Sequence, residues 1–249
     1  MNNGEIITPI NERITLIQRA AGLTFGTDAY LLGAFVRGKP GGRAVELGGG
    51  TGVVSLLCAA RDRFASILCA EIQPEYVSLI ARNAEGNGLS SRVLALCKDV
   101  RDLTVKDTGG EVHAVFSNPP YLRADCGFTN DSPEKNAARR EENGTVRDFC
   151  QAAARILRWG GCFTSVYRPE RMTELFCSLR ESGLEPKRAV FVHPAPDAPP
   201  SLLLTEAKKG AAEGLVFSRP LFVYADRARS VCTDDMRAVY DTFSLSHLF

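Results

Sequence analysis

The chain has 249 residues, 45% of them hydrophobic, which is enough for one large α/β domain or two small ones with a full core. A formal net charge of +1 excludes the global basic field of a strong nonspecific nucleic-acid binder, so any such contact has to come from local patches. No apolar run approaches the roughly 20 residues that span a bilayer, and Met1 to Thr8 lacks the basic-then-apolar order of a signal peptide, so the expected compartment is the cytoplasm, with no membrane contact.

In chain order, the first segment is Ile14 to Arg37. It carries Phe25-Gly26-Thr27-Asp28 and then the apolar run Ala29-Tyr30-Leu31-Leu32, and reads as a small lid or hairpin followed by a helix capped by Asp28 or Thr27. Residues 1–38 are taken as this entry segment and 39–249 as one further unit, with no linker long enough to demand a second domain. From Arg43 to about Leu204 strand-like runs alternate with helical spacing, the signature of a parallel sheet covered by helices. Strands are predicted at Ala44–Leu47, Ile67–Glu71, Val93–Cys97, Val112–Phe116, Gly161–Tyr167, Arg188–His193 and Ser201–Thr205. Helices are predicted over Val53–Arg61, Pro74–Asn87, Val146–Trp159 and Glu170–Ser182. Pro74 suits a first helical turn, and Gly88 and Gly183 fall just past helix ends.

Between Leu122 and Thr145 the chain turns polar, and so long an irregular connection inside a domain is read as a substrate-facing loop. After Thr205 come Lys208-Lys209-Gly210, a short strand around Leu221–Tyr224 and an amphipathic stretch, Asp234–Phe243. Trp159 reads as core or boundary packing, and His113 and His193 as structural histidines. The eight cysteines include no C-x-x-C pair and no His in ligand spacing, so they are read as reduced and mostly buried, and no metal is expected. The basic pairs Arg139-Arg140, Arg168 with Arg171, Lys187-Arg188 and Lys208-Lys209 are the local patches available to RNA; each alone also fits ordinary solvated charge.

The cofactor signal is Glu46-Leu47-Gly48-Gly49-Gly50-Thr51-Gly52, at the end of the first core strand and the start of the first core helix. A glycine-rich strand-to-helix turn alone also fits dinucleotide dehydrogenases. The spacing decides: the glycines at 48, 50 and 52 follow G-x-G-x-G, whereas the dinucleotide fingerprint needs a glycine at position 53, which is Val. Glu46, an acid just before the loop, suits a cofactor bearing positive charge, which points to S-adenosylmethionine. Glu71 ends the second strand, where a carboxylate can accept both ribose hydroxyls. Asp99 follows the third strand and is placed either for an adenine amine or for N-capping the next segment.

Asn118-Pro119-Pro120-Tyr121 follows the apolar run Val112 to Phe116. Here the Asn118 carbonyl and a backbone acceptor fixed by the prolines are able to take the two N–H bonds of a planar amine, with Tyr121 stacking on its plane. The plainer reading is a strand ending in a Pro-Pro turn.

Taken together, these motifs resemble the class I S-adenosylmethionine-dependent methyltransferases that modify amino nitrogens. Phe25-Gly26-Thr27-Asp28-Ala29, Ala138-Arg139-Arg140-Glu141, Val192-His193-Pro194 and Ser201 to Gly210 resemble, more closely, the bacterial group that methylates N6 of adenine 37 in valine tRNA. The resemblance implies a Rossmann-like α/β fold with a seven-stranded, mostly parallel sheet, its last strand antiparallel, and helices on both faces. It implies Asn118, Pro119, Pro120 and Tyr121 as the catalytic set. For the cofactor it implies Gly26, Thr27, Asp28, Glu46, Leu47, Gly48, Gly50, Gly52, Glu71, Ile72, Asp99, Val100 and Asn118. Arg139, Arg140, Lys208 and Lys209 are implied as contacts to a tRNA partner. The same tetrapeptide also serves methylation of a release-factor glutamine, or of adenine in rRNA or DNA. A nucleotide-binding module without catalysis is a further alternative, which the intact motifs disfavour.

Overall fold

The computed structural model describes residues 4–20, 25–120 and 144–249. The chain opens with an antiparallel hairpin of β1 (Glu5–Pro9) and β2 (Thr15–Arg19), with Ile7 opposite Ile17. The hairpin therefore begins earlier than Ile14. Helix α1 (Thr27–Phe35) follows, capped by the backbone of Gly26 rather than by the side chain of Thr27 or Asp28. The Asp28 carboxylate is committed elsewhere, and a Cβ on Gly26 would lie 2.5 Å from its Oδ1.

Five parallel strands form the centre: β3 (Arg43–Leu47), β4 (Ser66–Glu71), β5 (Val93–Cys97), β6 (Val112–Ser117) and β7 (Leu157–Tyr167). They are linked by α2 (Val53–Ala59), α3 (Pro74–Gly86) and α4 (Val146–Ile156), and followed by α5 (Met172–Glu181), β8 (Leu184–His193) and β9 (Leu202–Lys209). Two short strands, β10 (Val216–Phe217) and β11 (Leu221–Phe222), then lie on β8, and α6 (Asp234–Thr242) closes the fold. The order is β10-β8-β9-β7-β6-β3-β4-β5, with β11 also on β8 and β9 antiparallel to both its neighbours. Among the described residues the sheet has nine strands rather than the expected seven, because β10 and β11 add to β8; it is mostly parallel, with β9 antiparallel. Phe217 stacks on Phe191 of β8 at 5.7 Å, which gives that added edge an apolar seat.

Strand alternation splits the core into two layers. Ala44, Ala114 and Phe116 face a cluster with Leu31, Leu56, Ile80 and Met236, while Val45, Leu47 and Val115 face one with Phe149, Ile156 and Leu175. Helices thus cover both faces, as a parallel sheet requires.

Two boundaries differ from expectation for one reason, pairing between distant segments. Helix α4 stops at Ile156 because Leu157 already pairs with Val112 of β6. Strand β9 continues through Lys208 and Lys209 because β7 and β8 pair with it from both sides, with Cys162 opposite Lys208 and Leu184 opposite Lys209. Trp159 is thereby lifted from a helix end onto a strand, where it is 73% exposed instead of packed. The cysteines also depart from the reading: Cys58, Cys69 and Cys150 are buried, but Cys97 and Cys177 are exposed. His113 accepts the Arg43 backbone N–H at 3.2 Å and His193 bonds the Ala198 carbonyl at 2.8 Å, both structural roles.

The hairpin is held by the side chains of Asn83 on α3 and of Asn87, the residue that caps its end, which bond the β2 backbone as a further strand would. Asn83 accepts from Ile17 N at 2.7 Å and donates to Ile17 O and Thr51 O, both at 3.0 Å, while Asn87 makes the same pair of bonds with Thr15. Asn83, only 1% exposed, so ties the entry hairpin directly to the glycine loop. Asn83→Ala strands these buried backbone groups and is expected to lower stability by about 2–3 kcal/mol. A urea midpoint close to wild type, with no faster proteolysis of the hairpin, would show that the bridge contributes nothing.

Candidate active site

The chain leaves β3 toward β4 and β5, then returns to β6 on the other side, so a crevice opens at the carboxyl ends of β3 and β6. The glycine loop and Asn118 follow directly on the ends of β3 and β6, and Glu71 is the last residue of the neighbouring β4. In the loop, Gly50 has φ +53° and Gly52, the residue before α2, has φ +80°, both in the left-handed region that side chains resist. A Cβ on Gly52 would meet Ile80 at 3.3 Å, whereas Gly50 faces open space.

Two cavities flank this loop and share Gly48, Gly50 and Asn118. The first is walled by Glu71, Ile72, Gln73, Tyr76, Val100, Pro120 and Phe149. Glu71 is 6% exposed; Oε2 accepts from Gly50 N and Oε1 from Gln73 N, each at 3.0 Å. Burial raises its pKa above the usual carboxylate value, against the lowering effect of those backbone donors. Each oxygen keeps a further acceptor position.

The second cavity is walled by Phe25, Gly26, Asp28, Glu46 and the loop. Glu46 is 2% exposed and accepts from Ser55 N at 3.1 Å, Ser55 Oγ at 2.5 Å and Cys69 Sγ at 3.7 Å. Burial pushes its carboxyl up to about 7 despite the Ser55 bonds. A carboxylate so placed favours a cation as its neighbour.

Asn118 joins the two cavities. Its Nδ2 donates to Asp28 Oδ2 at 2.9 Å, and Asp28 Oδ1 accepts from Ala29 N at 2.9 Å. A carboxylate only accepts, so it selects the amino end of the amide and turns the Asn118 carbonyl away from itself. Pro119 and Pro120 follow with φ fixed by their rings.

Other predicted residues sort differently. Leu47 is wholly buried in the second core layer and Thr27 is exposed, and neither lines a cavity. Asp99 caps the single turn Val100–Asp102 and its carboxylate is engaged by Arg101, which holds its pKa below the usual value; of that pair only Val100 lines the first cavity. Tyr121, Arg139 and Arg140 lie outside the described residues. Lys208 and Lys209 stand at the opposite edge of the sheet, beside the start of β7, and Lys209 Nζ donates to Leu157 O at 2.6 Å. Arg188 is paired with Glu206, and Lys187 donates to the carbonyls of Ala212 and Glu213. Sequence reasoning missed Gln73, Tyr76 and Phe149. Phe149 sits in the first turns of α4, whose capping box of Thr145 and Asp148 fixes that helix end at the carboxyl edge. The Thr145-x-x-Asp148 spacing was the available signal.

Comparison with known proteins bears on this arrangement. The family model described as methyltransferase small domain matches residues 21–179, which hold the glycine loop, Glu71 and Asn118. The chain belongs to that methyltransferase family. A tRNA1(Val) (adenine(37)-N6)-methyltransferase of Bacteroides fragilis is 30% identical to this methyltransferase over 194 residues, 78% of this chain and 80% of the relative. The protein of the same name from Parabacteroides distasonis is 28% identical over 204 residues, 78% of this chain and 81% of its own. In three dimensions this methyltransferase is similar to the crystal structure of a predicted O-methyltransferase from Agrobacterium tumefaciens. That match has a TM-score of 0.71 and 22% identity over 88% of this chain and 97% of the other, and so speaks for the fold. Among the described residues no cluster of His, Cys, Asp or Glu is arranged to hold a metal, and no helix is long and apolar enough to cross a membrane.

Proposed function

We propose that this methyltransferase transfers a methyl group from S-adenosylmethionine to the exocyclic N6 of an adenine in tRNA, adenine 37 of a valine tRNA as in the relatives' names. The observation that carries the reading is the Asn118 carboxamide, oriented by Asp28 at the mouth of both cavities and followed by two prolines.

The residues present fit the cofactor. Glu71 is placed for the ribose hydroxyls, Ile72, Val100, Tyr76 and Phe149 for a purine, and Glu46 and Asp28 border the space for the cationic amino-acid end. When bound, S-adenosylmethionine supplies a methyl group already activated on a sulfonium. The protein's task is then to make and hold the nucleophile. The N6 lone pair is delocalised into the purine, and accepting both N–H bonds, on Asn118 Oδ1 and the Pro119 carbonyl, localises it toward the methyl. Alignment alone contributes up to ~7–11 kcal/mol in favourable cases. No strong base is needed, because the N–H protons become acidic once nitrogen bonds carbon and leave to water. Tyr121 is assigned to stacking on the extruded base, a contact worth roughly 1–3 kcal/mol.

Incubation with labelled S-adenosylmethionine and bacterial RNA, DNA and protein in parallel, followed by nucleoside analysis, tests the reading. N6-methyladenosine in tRNA is the expected product. Label on a protein glutamine would move the chain to the release-factor reaction, and no label anywhere would leave a binding module.

A further inference from the structure

Trp159, the one tryptophan of the chain, is 73% exposed on β7, an unusual setting for so large an apolar ring. The ring lies face-on over Gly210: a Cβ built there would sit 2.2, 2.3 and 2.5 Å from its Cζ2, Cε2 and Cη2. Backbone thus supports one face of the indole while the side chain remains open to solvent.

Cations lie along the same edge of the sheet. Lys208 extends along the neighbouring strand, its Cε 3.7 Å from the Cβ position of Gly160. Arg158 precedes Trp159. Burial first, and then the charges of Arg158, Lys39 and Arg43, depress the pKa of His113, so these groups share one locality. Arg43 is occupied by the carbonyls of Thr108, Gly109 and Glu111. Lys39, Arg158 and Lys208 form no ion pair among the described residues. The carboxylates beside Lys208 are engaged elsewhere: Glu185, opposite it on β8, pairs with Arg180, and Glu206 pairs with Arg188. A backbone-supported aromatic plate with these cations on the same edge of the sheet matches a stacked base with its flanking phosphates.

We propose that Trp159, with Lys39, Arg158 and Lys208, forms a second RNA-binding platform on the sheet edge opposite the reactive one, where an unpaired base stacks on the indole. The inference rests on the RNA reading above and adds to it a place for RNA remote from the target base. Ser165 pairs with Ser117, next to Asn118. Trp159 lies six residues before Ser165 on the same strand, at most about 20 Å away. A folded tRNA spans that distance.

Because Trp159 is the only tryptophan, intrinsic fluorescence reports on this platform alone. Titration of the full chain with unmodified tRNA, read both by tryptophan emission and by anisotropy of labelled tRNA, tests the proposal. Quenching should track binding, Trp159→Ala should weaken tRNA binding by about tenfold or more, and Trp159→Phe should restore most of the affinity. Lys208→Ala should lower the slope of log affinity against log salt by about 1. Tight binding by anisotropy with unchanged emission, and equal affinity for Trp159→Ala, would overturn the platform while leaving the RNA reading intact. If the wild-type chain binds no tRNA at low salt, both readings fall.

Discussion

Asn118→Ala is expected to lower the methyl-transfer rate by at least about 10²–10³-fold, the loss typical when one preorganised polar group at a reacting centre is removed, while S-adenosylhomocysteine still binds. Alanine leaves the amine with one acceptor instead of two, so the lone pair stays partly in the ring. It leaves the glycine loop, Glu71 and the apolar walls of the first cavity in place. Asp28→Asn makes a sharper test of orientation. An asparagine at 28 can present either its carbonyl or its amino group to Asn118, so the 2.9 Å bond no longer dictates which end of the amide faces the substrate. The rate constant should fall with little change in KM for tRNA. Single-turnover rates beside calorimetric titration of S-adenosylhomocysteine separate the two effects. A full-rate Asn118→Ala enzyme would remove Asn118 from the chemistry, and loss of cofactor binding in that variant would make it a cofactor ligand instead.

How much of this was legible beforehand depends on whether the deciding contact is local. Val112 to Phe116 and Ala44 to Leu47 announce buried strands because, His113 and Glu46 apart, their residues are apolar on both faces, and the glycines after β3 mark a close backbone turn by their spacing. Pro74, Gly88 and Gly183 mark helix ends through their own backbone preferences. The exposed strand β1 carries no such signal: Ile6 and Ile7 are both open to solvent and Pro9 ends it, so its existence depends on pairing with β2. Trp159 follows a run with helical spacing, and only the pairing of Leu157 with Val112 ends that helix. Lys208 and Lys209 were assigned to the substrate as a basic pair inside the segment that resembles the tRNA-modifying group. Strand β9 runs antiparallel, however, so its carboxyl end lies at the amino edge of the parallel strands, on the far side from Asn118. Direction within a sheet is a property of topology, and no residue of β9 encodes it alone. The Asp28 to Asn118 bond joins residues on two segments that the sheet brings together, which is why Asp28 read only as a helix cap or a cofactor contact.

Glu46→Gln is expected to stabilise the ligand-free protein at pH 8 by about 1–3 kcal/mol and to weaken S-adenosylmethionine binding by roughly 10–100-fold, as loss of a charge-assisted hydrogen bond does. The carboxyl is moved from its ordinary 4.5 up to about 7, mainly by burial. An acid raised in the folded state ionises first in the unfolded chain. Between about pH 4.5 and 7 the folded protein therefore holds a proton that the unfolded chain has released, and stability falls as pH rises through that window. Above it the cost is complete, about 3 kcal/mol at 1.36 kcal/mol per pKa unit. Glutamine keeps an acceptor for Ser55 and removes the buried charge, so this part of the pH dependence should vanish from its urea midpoints. The same charge has a use when a cation occupies the second cavity, since the ligand then offsets the burial that penalises it. Wild-type affinity should accordingly rise with pH through the neutral range, and the variant's affinity should not. Equal midpoints for the two proteins at pH 8, together with equal cofactor affinity, would mean that Glu46 is neither strained in the empty protein nor used by the ligand. Stabilisation without loss of affinity would place the cation elsewhere, with Asp28 as the remaining acid on that cavity wall.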